Sequence, residues 1–106
     1  MSEALDRLFA TIAARKGSDP SRSYTAKLLA QGVEKCAKKF GEEAVEAVIA
    51  AAQKDQTELA KESADVLYHL AVLWAASGIT PDDVYTVLKS RENQSGLEEK
   101  AARPKD

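Results

Sequence analysis

Glycine and proline are so scarce in this chain that their positions decide where its helices stop. The 106 residues hold five Gly and three Pro, and Gly17, Pro20, Gly32, Gly78 and Pro81 all fall at breaks in the apolar periodicity. Both residue types suit helix ends and weaken helix interiors. Leu5, Leu8, Phe9 and Ile12 follow the i, i+3, i+4, i+7 spacing of a first helix that stops near Gly17. Lys16 to Ser23 reads as a loop around Asp19-Pro20, with Ser23 or Thr25 capping a second helix over roughly Thr25 to Gln31. Gly32 marks a bend before a long helix reaching about Gln53, with Val45, Val48, Ile49 and Ala52 as its apolar stripe. Asp55-x-x-Glu58 has capping-box spacing and opens a fourth helix that ends at Gly78. Thr80-Pro81 starts a last helix lined by Val84, Val87 and Leu88. With no strand pattern or internal repeat, the expectation is one all-α domain of five helices over residues 1–95. A polar tail follows over residues 96–106.

Hydrophobic residues make up 44% of the chain but aromatics only 6%, so the core must be built from Ala, Leu and Val. Such a core suits closely packed helices. Leu59, Ser63, Val66, Leu67, Leu70, Leu73 and Trp74 give the fourth helix an apolar face wider than one neighbour needs. The excess predicts a homodimer in which the long helices complete a four-helix-bundle-like core. A net charge of −2 and a pI near 5.5 argue against general binding to nucleic acid or anionic membranes. No apolar run approaches the ~18 residues that span a bilayer, and the N-terminus lacks a signal-peptide core. Cys36 is the one cysteine, which forbids an intrachain disulfide and predicts a reducing, cytoplasmic setting. It lies on an apolar helical face and reads as a small core residue. Tyr68 and Trp74 likewise read as packing residues.

The chemistry lies in two acidic clusters, Glu42-Glu43-x-x-Glu46 and Glu62-x-x-Asp65. Residues three and four apart share a helix face, so each cluster projects its carboxylates in one direction. Packed antiparallel across a short connection, the two helices gather four or five carboxylates at one spot. Like charges that close repel unless a cation holds them, and Mg²⁺ or Mn²⁺ is the hard cation that oxygen ligands favour. Glu42 and Glu43 point about 100° apart, so only one of them faces the partner helix fully.

Other chemistries are excluded. Asp65-x-x-x-His69 is not the Glu-x-x-His motif that a di-iron bundle needs twice. A single histidine rules out a His-rich zinc site, and no serine stands in a nucleophile-elbow context. Nothing resembles a Gly-rich phosphate loop. An oxygen-only metal site remains, and such sites act mostly on phosphates. Lys35, Lys38 and Lys39 lie upstream on the same helix as the first acids. Two readings stand for them: Lys38 and Lys39 pair with Glu42 and Glu43 at i,i+4, or the three lysines meet the distal oxygens of a polyphosphate. His69 has three readings: a partner to a metal-binding acid, a contact to substrate, or a buried imidazole bonded to a neighbour.

Ser23-Tyr24-Thr25, the Lys35–Gly41 stretch leading into Glu42-Glu43-x-x-Glu46, and the run from Glu62 to Leu70 resemble the phosphoribosyl-ATP pyrophosphatase family. That family belongs to the all-α nucleoside triphosphate pyrophosphatases of MazG-like type. The resemblance runs from about Leu5 through residues 95–101. The paired acids mark the superfamily, and the Ser-Tyr-Thr segment and Tyr68-His69 pull toward this member. It implies Mg²⁺-dependent hydrolysis of phosphoribosyl-ATP to phosphoribosyl-AMP and pyrophosphate, the second step of histidine biosynthesis, with Mn²⁺ as an alternative metal. It also implies a stand-alone enzyme, without the cyclohydrolase domain to which many members are fused. By resemblance, Glu43, Glu46, Glu62 and Asp65 hold the metal and Glu42 orients or deprotonates water. Lys35, Lys38, Lys39 and His69 then face the substrate. A pyrophosphatase clearing non-standard nucleotides, and a non-enzymatic helical dimer, are the competing expectations.

Overall fold

The computed structural model describes residues 3–92, and every regular element within them is a helix. α1 spans Glu3–Ala14, α2 Tyr24–Ala30, α3 Val33–Ala52, α4 Gln56–Ser77 and α5 Pro81–Ser90. The polar tail expected from residue 96 and the 95–101 part of the resemblance lie outside the described residues.

The helix ends follow from local chemistry. Ser23, not Thr25, caps α2: its hydroxyl accepts the Ala26 N–H at 3.1 Å. Gly32 does more than bend the chain. At φ 92° it breaks it, closing α2 and serving as the N-cap of α3. Asp55 caps α4 by accepting the Glu58 N–H at 3.0 Å, but its own N–H goes to the Ala50 carbonyl at 3.2 Å. The return half of a capping box therefore has no donor left to take. The Glu58 carboxylate lies 3.9 Å from Lys61 instead. Thr80 and Asp83 form the full reciprocal box at the start of α5, with Pro81 in the first turn. Gly78 ends α4 in the left-handed conformation at φ 82°.

Lys54, in the tight turn between α3 and α4, also takes a left-handed φ of 59° despite its Cβ. Relief of that crowding by Lys54→Gly is worth about 1–2 kcal/mol, offset by about 0.4–1 kcal/mol of extra freedom in the unfolded chain. A net gain of roughly 0.5–1 kcal/mol should appear in urea unfolding. A lower midpoint would mean that the lysine side chain anchors the turn.

α3 and α4 form a long antiparallel hairpin, the most extensive helix pair in the chain. α1 and α2 lie against α4, α2 also meets α3, and α5 reaches back to α1. There the Tyr85 hydroxyl donates to Asp6 at 3.0 Å. The core gathers where these helices meet the C-terminal half of α4: Ile12, Leu28, Cys36, Ala71, Val72, Trp74 and Ala75. Cys36 is fully buried and its thiol donates to the Leu28 carbonyl at 3.2 Å, as a core cysteine would. Trp74 is buried and Tyr68 packs on the core edge.

The expected apolar stripe of α3 is where the structure differs. Val45, Val48 and Ile49 are 56%, 67% and 43% exposed, and Ala52 is exposed too. The sheltered positions include Cys36, Phe40, Glu43, Ala47 and Ala50, alternately four and three apart, with Lys39 and Ala44 beside them. This is the seam turned toward α4. Alanine at the contact lets two helix backbones approach closely. The larger valines are therefore left on the outer side. On α4, Leu67 is 49% exposed while Leu59, Val66, Leu70 and Leu73 are half-buried.

Candidate active site

The turn at Lys54 sets which residues of the hairpin stand level. Glu43 and Asp65 are each eleven residues from it, and Glu46 and Glu62 each eight. Antiparallel helices rise equally per residue, so these acids stand at two matching heights on the hairpin, about a turn apart. Burial pushes the half-buried Glu62 carboxyl above its ordinary pKa, and the charges of Asp65, Glu43, Glu58 and Glu46 push it further. Three acids named from the sequence thus bear on a fourth, Glu62. Glu58, which the capping spacing had seemed to employ, joins them. Among the described residues, no three His, Cys, Asp or Glu side chains stand together closely enough to hold a metal ion. The donor chemistry nevertheless fits a hard cation: a carboxyl forced toward protonation by its neighbours is what positive charge would relieve.

Glu42 and Glu43 take different directions, as their angular separation requires. The Glu43 side chain, only 20% exposed, faces His69; the Glu42 side chain is 54% exposed and lies 3.9 Å from Lys39 Nζ. That pair is i,i+3, not the i,i+4 pairing considered for Lys38 and Lys39. His69 is buried, with Nε2 3.9 Å from Glu43 Oε1, longer than a hydrogen bond. Burial lowers its pKa, Lys39 adds to the drop, and Glu43 and Asp65 oppose it. The imidazole is therefore neutral at pH 7, and its contact with Glu43 is not an ion pair at that pH. Its surroundings are aromatic: the Tyr68 ring stands 5.0 Å away at 79°, and the Tyr24 ring 6.4 Å away at 89°.

Beside the acids, α2 and α3 enclose an open hollow of about 160 Å³ lined by Leu28, Gln31, Lys35, Lys38, Lys39 and Glu42. Lys35 and Lys38 both line the hollow with their ammonium-bearing side chains. The structure thus places all three predicted lysines with Glu42 in one concavity, and Glu43, Glu46, Glu62, Asp65 and His69 along the adjoining hairpin. Gln31 and Tyr24 were missed. Their signal was present, because Tyr24, Leu28 and Gln31 recur at i, i+4, i+7 along one face of α2.

The family model described as phosphoribosyl-ATP pyrophosphohydrolase matches residues 5–92 of the chain. A phosphoribosyl-ATP pyrophosphatase of Parvibaculum lavamentivorans is 64% identical over 99 residues, which cover 93% of this chain and 91% of that protein. Its counterpart in Cereibacter sphaeroides (strain ATCC 17029) is 61% identical over 99 residues, 93% of this chain and 96% of the relative. The Gluconobacter oxydans protein of the same name is 56% identical over 102 residues, 96% of this chain and 77% of the relative.

Proposed function

The chain belongs to the phosphoribosyl-ATP pyrophosphohydrolase family, and we propose on that premise that it hydrolyses phosphoribosyl-ATP to phosphoribosyl-AMP and pyrophosphate, the second step of histidine biosynthesis. The observation that carries the mechanism is the crowding of four carboxylates around Glu62 beside a lysine-lined hollow. Glu43, Glu46, Glu62 and Asp65 are the residues that would hold Mg²⁺, with Mn²⁺ as a substitute. Bound there, the metal supplies charge neutralisation on the phosphates and a more acidic water. Glu42, exposed and turned from Glu43 toward the hollow, orients the attacking water or takes its proton. Its carboxylate lies 3.9 Å from Lys39 Nζ, at the lining of that hollow. Lys35 and Lys38 grip the outgoing phosphates, and His69 backs Glu43 from the buried side. Hydrolysis at the α-phosphorus then rests on positioning and charge compensation.

The uncovered valines of α3 support a homodimer in which two hairpins close a four-helix bundle. Among the described residues no helix is long and apolar enough to cross a membrane. With a diffusible nucleotide as substrate, the cytoplasm is the proposed location.

Pyrophosphate release from phosphoribosyl-ATP, compared with a panel of ordinary and non-standard nucleoside triphosphates, tests the reaction. A clear preference for phosphoribosyl-ATP is expected. Equal turnover of the panel would make the chain a general nucleotide pyrophosphatase. Within the hollow, Lys35→Gln should lower kcat/KM roughly ten- to a hundredfold, the loss of one charge-assisted contact worth about 1.5–3 kcal/mol. The deficit should shrink as salt rises, because screening weakens the wild-type attraction. A kinetically silent Lys35→Gln would return the lysine to the solvated helix surface.

A further inference from the structure

The Ser23-Tyr24-Thr25 segment holds one aromatic ring in a place that folding alone does not explain. Ser23 caps α2 through the Ala26 N–H, and the Thr25 hydroxyl hydrogen-bonds the Tyr68 hydroxyl, tying the first turn of α2 to α4. Tyr24, fixed between these two attachments, stays 54% exposed. Its ring stands perpendicular to His69 at 6.4 Å. Whichever of the two rings presents its edge, at least one face of Tyr24 is not covered by His69. His69 in turn lies 3.9 Å from Glu43, which links the ring to the acid cluster through one side chain. Tyr24 also shares its helix face with Leu28 and Gln31, which wall the lysine hollow. Tyr24 and Gln31 are seven residues apart, about 10 Å along the axis. A nucleotide with its phosphates on the lysines would bring its base to the other end of that wall.

We propose that Tyr24 is the platform on which the adenine base of the substrate stacks. The assignment rests on the functional reading above and adds to it the residue that binds the base. A π-face at the rim binds a purine by stacking, without requiring hydrogen bonds to its edge. Because the base is distant from the reacting phosphorus, stacking is alike in ground and transition states. It should therefore affect KM far more than kcat.

The test is steady-state pyrophosphate release from phosphoribosyl-ATP by wild type, Tyr24→Phe, Tyr24→Leu and Tyr24→Ala, with far-UV circular dichroism and sedimentation on each. Leu and Ala should raise KM roughly five- to a hundredfold, the range for one base–aromatic stack, with kcat little changed. Phe should restore a KM close to that of wild type. An unaltered KM in Tyr24→Leu, or equal damage from Phe and Leu, overturns the stacking role while an active wild type preserves the functional reading. A fall in kcat together with loss of assembly, or unfolding of both Leu and Ala variants, would make Tyr24 a structural residue and overturn it as well. A wild type inactive on phosphoribosyl-ATP removes the functional reading and the stacking role with it, and is scored before any variant.

Discussion

Glu43→Gln is expected to lower kcat at least about a hundredfold at saturating Mg²⁺ while leaving the helical circular dichroism intact. The substitution keeps shape and removes one charge. The Glu43 side chain is only 20% exposed, with the neutral His69 imidazole behind it, so no flexible neighbour replaces its oxygens. Glu46→Gln, Glu62→Gln and Asp65→Asn should behave alike, since each would remove one of four oxygen donors from a hard cation. Metal-free stability should move in the opposite direction. The Glu62 carboxyl is held above its ordinary pKa, so its proton is bound more tightly in the folded chain than in the unfolded one. The ionised form therefore costs the metal-free fold stability above the ordinary carboxylate pKa, and that cost fades as pH falls. Glu62→Gln should raise the metal-free melting temperature at pH 7, and its advantage over wild type should narrow toward pH 4. Added Mg²⁺ should stabilise the wild type more than the variant. Two of the four substitutions retaining near-wild-type turnover would refute the metal assignment.

What the sequence revealed and what it hid divide along a physical line. Features set by neighbours in the chain were legible: the Asp55 and Thr80 caps, Ser23 as one of two candidate caps, the end of α4 at Gly78 and the two acid spacings, while Gly32 was read as a bend where the helix breaks. Each depends on backbone groups within about a turn. The level pairing of Glu43 with Asp65 and Glu46 with Glu62 was also accessible, because a three-residue connection between antiparallel helices leaves little freedom in register. The face of α3 that meets α4 was not. Periodicity weights Val above Ala, whereas close contact between two helices selects for small side chains. Val45, Val48 and Ile49 were therefore read as the inner stripe while Ala47 and Ala50 took the seam. The contact between Tyr24 and His69 was hidden for a related reason: the two residues lie two helices apart in sequence, and only the helix-face spacing of Tyr24 with Leu28 and Gln31 is local. The Glu58 carboxylate was misplaced because the Asp55 N–H bonds the end of α3, which no capping rule foresees.

That misread stripe leads to the second large effect. Val48→Asp should leave each chain's helices in place yet weaken self-association by roughly a hundredfold or more. Within the single chain Val48 is 67% exposed, so an aspartate there meets water and costs the protomer little. In a dimer closed over Val45, Val48 and Ile49, the same carboxylate would be desolvated without a partner. A penalty of even about 3 kcal/mol shifts Kd by more than a hundredfold. Val72→Asp makes the contrasting case, because Val72 has no exposed surface and sits among Ile12, Ala71 and Trp74 in the core. A buried unpaired charge costs several kcal/mol against a total stability of about 5–15 kcal/mol. Val72→Asp should therefore unfold the chain whatever its assembly. Sedimentation equilibrium and thermal melts on the two variants separate the outcomes. If Val48→Asp sediments and melts as wild type does, the exposed stripe is not the dimer face. If it unfolds like Val72→Asp, the protomer has no stability of its own and the shared bundle is the smallest folding unit.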